Sequence, residues 1–131
     1  RAQGRPGETV DAWEIIRPDP ASREFLDQLY SEYPHLACQL SLETAAAMLG
    51  YSPEGHAGGI EERPVLLIHG AEDALVPPSE SQALLEAIGD SARLELIPEM
   101  AHFDWANPAD SRFEQVVETV NNWLDEIVPA S

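Results

Sequence analysis

Residues 63–105 carry two short apolar runs, each followed by a loop, and the loops bear Asp73 and His102. The first run, residues 64–68, is bounded by Pro64 and Gly70. An apolar run this short and uninterrupted predicts a strand buried on both faces, as in a parallel sheet. Asp73 follows Gly70 by three residues, and Pro77-Pro78 closes the loop. Ser79 and Gln82 stand at capping-box spacing, and Leu84, Leu85 and Ile88 make an apolar helical face that ends at Gly89. Residues 93–97 predict a second strand, after which the chain turns at Pro98 and reaches His102. An acid and a histidine thus each lie past the C-terminal end of a strand, with one helix between the strands. Open α/β sheets build their sites at that edge.

The segment HGAEDALVPPSES at residues 69–81, followed by LELIPEMAHFDW at 94–105, resembles the last third of an α/β-hydrolase. The loop after Gly70 is similar to the triad acid loop, and His102 to the triad base. Acid before histidine matches the chain order Ser, Asp, His of that fold. The HFDW ending resembles the dienelactone-hydrolase-like and X-prolyl-peptidase-like branch. The resemblance covers residues 63–128. It implies an α/β fold class, namely the C-terminal part of an α/β-hydrolase with parallel strands, flanking helices and a possible helical lid before them. It further implies Asp73 as orienting acid and His102 as general base, with Phe103 and Trp105 walling the substrate site or packing beneath it. The reaction implied is serine-type hydrolysis of an ester, lactone, thioester or peptide-like bond in a small substrate, with no cofactor.

The nucleophile elbow of that fold, G-x-S-x-G, does not occur in this sequence. The nearest string, Gly55-His56-Ala57-Gly58-Gly59, has alanine at the nucleophile position and no strand before it. The first residue is Arg1 rather than Met. The resemblance therefore implies the C-terminal portion of a longer hydrolase, whose N-terminal portion supplies nucleophile and oxyanion hole. The alternative is a noncatalytic, hydrolase-derived module that binds a partner through a sheet edge left open.

Composition and pattern divide the chain into a helical segment, 1–62, which the resemblance implies is lid-like and which otherwise is a packing segment, and a strand-helix-strand-helix part, 63–131. Residues 1–7 read as a frayed end, and 9–16 as a short strand or extended segment. Asp19-Pro20 marks a helix start, with Phe25, Leu26, Leu29, Tyr30 and Tyr33 at helical spacing and Pro34 as its end. Ser41 caps a second helix carrying Leu42, Ala45, Ala46 and Leu49, stopped by Gly50. Residues 51–62 read as a Gly-rich charged loop. Trp13, Tyr30 and Tyr33 are either pocket walls beneath a lid or core aromatics. The last helix has Asn107 as cap, Pro108 as first residue and Asp110 in its first turn. Phe113, Val116, Val117, Val120, Trp123, Leu124 and Ile127 form its apolar face, for which a sheet is the natural partner.

In triad chemistry a histidine takes the proton of a hydroxyl or thiol, while a carboxylate on its other nitrogen fixes the tautomer. Asp73 and His102 suit those roles; the plain reading of each is a turn aspartate and a surface-loop histidine. His69 reads as a hydrogen-bonded structural histidine, and Asp104 as a partner of backbone near the histidine loop. His69, Asp73, His102 and Asp104 have the donor types of a zinc site but no ligand spacing that marks one, so no metal is expected. Cys38 lies between helices rather than in an elbow and reads as a buried, inert thiol.

The sequence holds 24 acidic residues against 7 basic ones, all arginine, for a formal charge of −17. Such a chain repels nucleic acid and anionic membrane surfaces. It reflects either an ordinary acidic surface or adaptation to high salt. A single cysteine precludes an internal disulfide and suits a reducing compartment, the cytoplasm. No run reaches the roughly 20 apolar residues of a membrane-spanning helix. Salt shortens the Debye length to roughly 3 Å at 1 M and screens the carboxylates from one another. The melting temperature is therefore expected to rise from low to molar NaCl; a flat or falling series speaks against strong repulsion in the folded chain.

Overall fold

The structure, a computed structural model, describes residues 7–128. The expected frayed end lies outside these residues except for Gly7. The chain forms two units, 1–52 and 53–131. The division falls ahead of the compositional one at 62/63 because the Gly-rich stretch packs onto the helix of the second unit.

In the first unit, strand β1 (Thr9–Asp11) pairs antiparallel with β2 (Gln39–Ser41), Val10 opposite Leu40. Residues 9–16 are thus only partly extended. Asp11 accepts a hydrogen bond from the Trp13 amide and starts helix α1 (Ala12–Ile16). Asp19 accepts from the amides of Ala21 and Ser22 and caps α2 (Pro20–Glu32), with Pro20 at the position where its missing N–H costs nothing. A 3-10 turn, Pro34–Leu36, follows. Ser41 accepts from the Thr44 amide at 3.1 Å and caps α3 (Leu42–Leu49). Among the described residues of this unit, Leu26 and Ala45 are the buried apolar ones. Trp13 Nε1 donates to the Tyr30 hydroxyl at 2.6 Å, while Tyr33 is exposed. Cys38 is exposed, correcting the expected burial. It sits between the 3-10 turn and a three-residue strand.

In the second unit, α4 (Glu54–Ala57) and the turn Gly58–Ile60 replace the expected loop, and Ala57 is buried. Strands β3 (Val65–Gly70) and β4 (Ala92–Ile97) run parallel, from Val65 opposite Ala92 to Gly70 opposite Ile97. Helix α5 (Pro78–Ile88) connects them, and α6 (Ser111–Ile127) also packs on both. The fold is mixed α/β.

Three further expectations are corrected in this unit. Strand β3 is half-buried from Val65 to His69, not buried on both faces. Among the described residues its sheet has only two strands, so each strand keeps an open edge. Helix α5 begins at Pro78 without a side-chain cap, so Ser79 is inside it. Pro77 and Pro78 fix the entry and have no amides to satisfy. Helix α6 is capped by Asp110, not Asn107. Asp110 accepts from the Arg112 amide at 2.9 Å and binds the Arg112 guanidinium, whereas Asn107 closes the preceding turn by accepting from Ala109 N. No helix among the described residues is long and apolar enough to cross a membrane.

Candidate active site

Gly70 brings the two site loops together. A Cβ there would stand 2.2 Å from the Met100 carbonyl oxygen and 2.9 Å from its carbon. That close approach lets Glu72 N donate to Met100 O at 3.1 Å, and Ala71 N to Ile97 O at 2.9 Å. The acid loop is thus bonded along its backbone to the histidine loop.

Asp73 is buried, at 8% exposure. Its Oδ1 accepts from the amides of Leu75 and Val76 at 3.0 and 2.9 Å. Its Oδ2 faces His102 Nδ1 at 2.8 Å across 29 residues of sequence. Burial pushes the carboxyl up, but the Val76 amide, His102 and the Leu75 amide together outweigh it. Its acidity therefore ends on the strong side of the usual carboxylate range.

His69 lies behind the same carboxylate. Its Nε2 is 2.8 Å from the Val76 carbonyl and 3.2 Å from Asp73 Oδ2, and its Nδ1 is 2.6 Å from Ser81 Oγ on α5. Its expected hydrogen-bonded character is met by those contacts.

The loop that carries His102 is pinned from beneath. Asp104 accepts from Ala101 N at 2.7 Å, bonding backbone as its sequence position suggests. The Arg112 guanidinium reaches Asp104 and the Glu99 carbonyl, both at 2.6 Å, and also pairs with Asp110. The Asp110 carboxyl is pulled to about 2 by that guanidinium and by the Arg112 amide. Glu99 takes a positive φ of 56°, which reverses the chain after β4. The Phe103 ring meets the His102 ring edge-on, with centroids 4.7 Å apart. Trp105 stands in the short turn Asp104–Ala106, exposed at 52%.

The structure thus joins Asp73, His102, His69 and Phe103, and leaves Trp105 open to solvent. Ser81 and Arg112 are site-supporting residues that sequence reading missed. Arg112 had a signal, because it stands two residues past Asp110 and no other arginine or lysine follows Arg93 in the sequence; Ser81 had none beyond its helical position. Among the described residues, no three His, Cys, Asp or Glu side chains are placed to hold a metal ion. Chemically, the arrangement presents an imidazole whose Nδ1 is committed to a buried carboxylate. Its side chain is 31% exposed.

No protein-family model matches the chain. Over 111 residues, 83% of this chain and 37% of the relative, it is 27% identical to the uncharacterized 31.7 kDa protein in the traX-finO intergenic region of Escherichia coli. Over 81 residues, 60% of this chain and 28% of the relative, it is 32% identical to the uncharacterized protein YfhR of Escherichia coli K12. The chain spans about a third of the length of these curated relatives.

Proposed function

We propose that the chain supplies the acid and base of a serine-type hydrolase of the α/β-hydrolase superfamily. The observation that carries this reading is the 2.8 Å contact between His102 Nδ1 and Asp73 Oδ2, made by two loops that each follow a parallel strand. Asp73 keeps the proton of His102 on Nδ1, so that Nε2 accepts the proton of an attacking hydroxyl or thiol. It then stabilises the imidazolium, which returns the proton to the leaving group. The nucleophile and oxyanion donors come from residues other than those described. Phe103, edge-on to His102, serves as a wall of the substrate site. The first unit stands, in chain order, where such hydrolases carry a lid. The substrate class is an ester, lactone, thioester or peptide-like bond.

A second reading, a noncatalytic binding module, draws on the open apolar side chains of the second unit. Leu96, Val117, Leu124 and Val128 are all more than 40% exposed. Burial of such surface by a partner is favourable at about 25 cal/mol per Å².

Hydrolysis of p-nitrophenyl acetate separates the two. The isolated 131-residue chain is expected to give no turnover above background, since an Asp–His pair without nucleophile and oxyanion donors is only a weak base. The product of the complete reading frame is expected to turn over, and His102→Ala in it to lose about 10³-fold or more. A folded but inactive product favours the binding module. Activity of the isolated chain that survives His102→Ala means that the site is misplaced.

A further inference from the structure

We infer that His69 and Ser81 form a clamp that aims the Asp73 carboxylate at His102, making both positioning residues for the hydrolytic reading on which this inference rests. The proton inventory fixes the clamp. The Val76 carbonyl only accepts, so His69 Nε2, 2.8 Å from it, carries the proton. In the neutral ring Nδ1 then holds a lone pair and accepts from Ser81 Oγ at 2.6 Å. Ser81 is buried at 9% and the His69 side chain is 11% exposed, so water competes poorly for either group.

The clamp acts through Val76. Its amide donates to Asp73 Oδ1, and its carbonyl accepts from His69. The same His69 N–H edge lies 3.2 Å from Asp73 Oδ2. The carboxylate is thereby held on one oxygen by two amides and on the other between two histidines. His102 is the more exposed of the two, at 31% against 11% for the side chains. Only the outer one, His102, has an edge open for proton transfer. The inner one uses both nitrogens to tie three elements together: the end of β3, the acid loop and α5. It has no role in moving a proton.

Imidazole ¹⁵N NMR of the intact chain at neutral pH reads this directly. His69 is expected as the Nε2–H tautomer, and His102 is expected to show a downfield Nδ1 proton. His69→Phe keeps an aromatic ring but no donor. It should erase the His102 Nδ1 resonance and speed hydrogen exchange at the Leu75 and Val76 amides about fivefold to tenfold, the loss of one buried hydrogen bond. His69→Gln, whose amide can still donate towards Val76, should restore both. Ser81→Ala keeps the Nε2–H tautomer that the Val76 carbonyl sets, but it releases the far nitrogen of the ring and should speed exchange at the Val76 amide. These last two variants decide the matter where His69→Phe does not fold.

A His102 resonance and exchange rates unchanged in His69→Phe, or a His69 that is Nδ1-protonated in the natural chain, overturn the clamp. So does a Val76 amide exchange rate unchanged in Ser81→Ala, or a His69→Gln variant that restores nothing. A natural chain without the His102 Nδ1 signal instead removes the Asp73–His102 pair, and with it the hydrolytic reading, whatever the tautomer of His69.

Discussion

Alanine at position 70 is expected to cost the second unit about 3 kcal/mol and to break the Asp73–His102 pair. The added carbon would lie 2.2 Å from the Met100 carbonyl oxygen and 3.4 Å from that of Ala101. Both are backbone atoms, so no side chain can swing aside. The histidine loop must retreat, and the Glu72–Met100 backbone bond opens with it. His102 rides on that loop only two residues beyond Met100, which is itself buried at 3% exposure. Gly89→Ala makes the control. Gly89 has a φ of +84° and a ψ of −146°, so alanine there is strained by about 1–3 kcal/mol, but no atom lies within 4 Å of the new carbon. Urea midpoints should fall in both variants, further in Gly70→Ala, and the His102 Nδ1 proton signal should vanish only there. A Gly70→Ala protein with the natural midpoint and an intact signal would show that the loop contact is soft.

The meeting of Asp73 and His102 was legible because strand ends impose it. A parallel register places Gly70 opposite Ile97, and each loop leaves from the same edge. Apolar run, glycine and acid, followed by apolar run, proline and histidine, encode that arrangement without any long-range knowledge. His69 was legible in kind but not in partner. Its contact with Ser81 depends on how far α5 has turned when it passes beneath β3, and the helix start sets that phase. The start was misread, since Ser79 has capping chemistry while two prolines begin the helix earlier.

Local chemistry misled elsewhere for the same physical reason, namely that several residues compete for one role. Asn107 and Asp110 can both cap a helix, and Asp110 holds that position because Arg112 binds its carboxylate. Cysteine and aliphatic strands are buried on average. Cys38 and β3 depart from that average because burial depends on what covers a residue. The cover belongs to tertiary structure, and among the described residues the sheet of β3 stops at two strands.

Asp73 offers the sharpest separation of stability from chemistry. Asp73→Ala removes the acceptor of the Leu75 and Val76 amides and the partner of His102 in one step. Stranding those half-buried donors is expected to cost about 3 kcal/mol, read as a lowered urea midpoint at neutral pH. Asp73→Asn differs. Its amide oxygen can still take both backbone N–H groups, so most of that stability should remain. Its nitrogen, however, now faces His102 and donates. His102 must then accept at Nδ1 and carry its proton on Nε2, the reverse of what a general base needs. On the proposed hydrolytic reading, the rate of a protein that also carries the nucleophile and oxyanion donors should fall by about 10⁴-fold, with substrate affinity little changed. The pH response follows from the lowered acidity constant of Asp73. A carboxyl whose folded value lies below its ordinary 3.8 contributes stability that is fully present above that ordinary value. The contribution is lost as the pH falls through the folded value, when the protonated acid can no longer serve His102. Asp73→Asn has no such group, so its stability difference from the natural chain should shrink on acidification from neutral pH to below pH 3. Urea midpoints of both proteins across that range test the sign. A gap that widens in acid would mean that Asp73 is not ionised in the folded chain, and the orienting role assigned to it would fall.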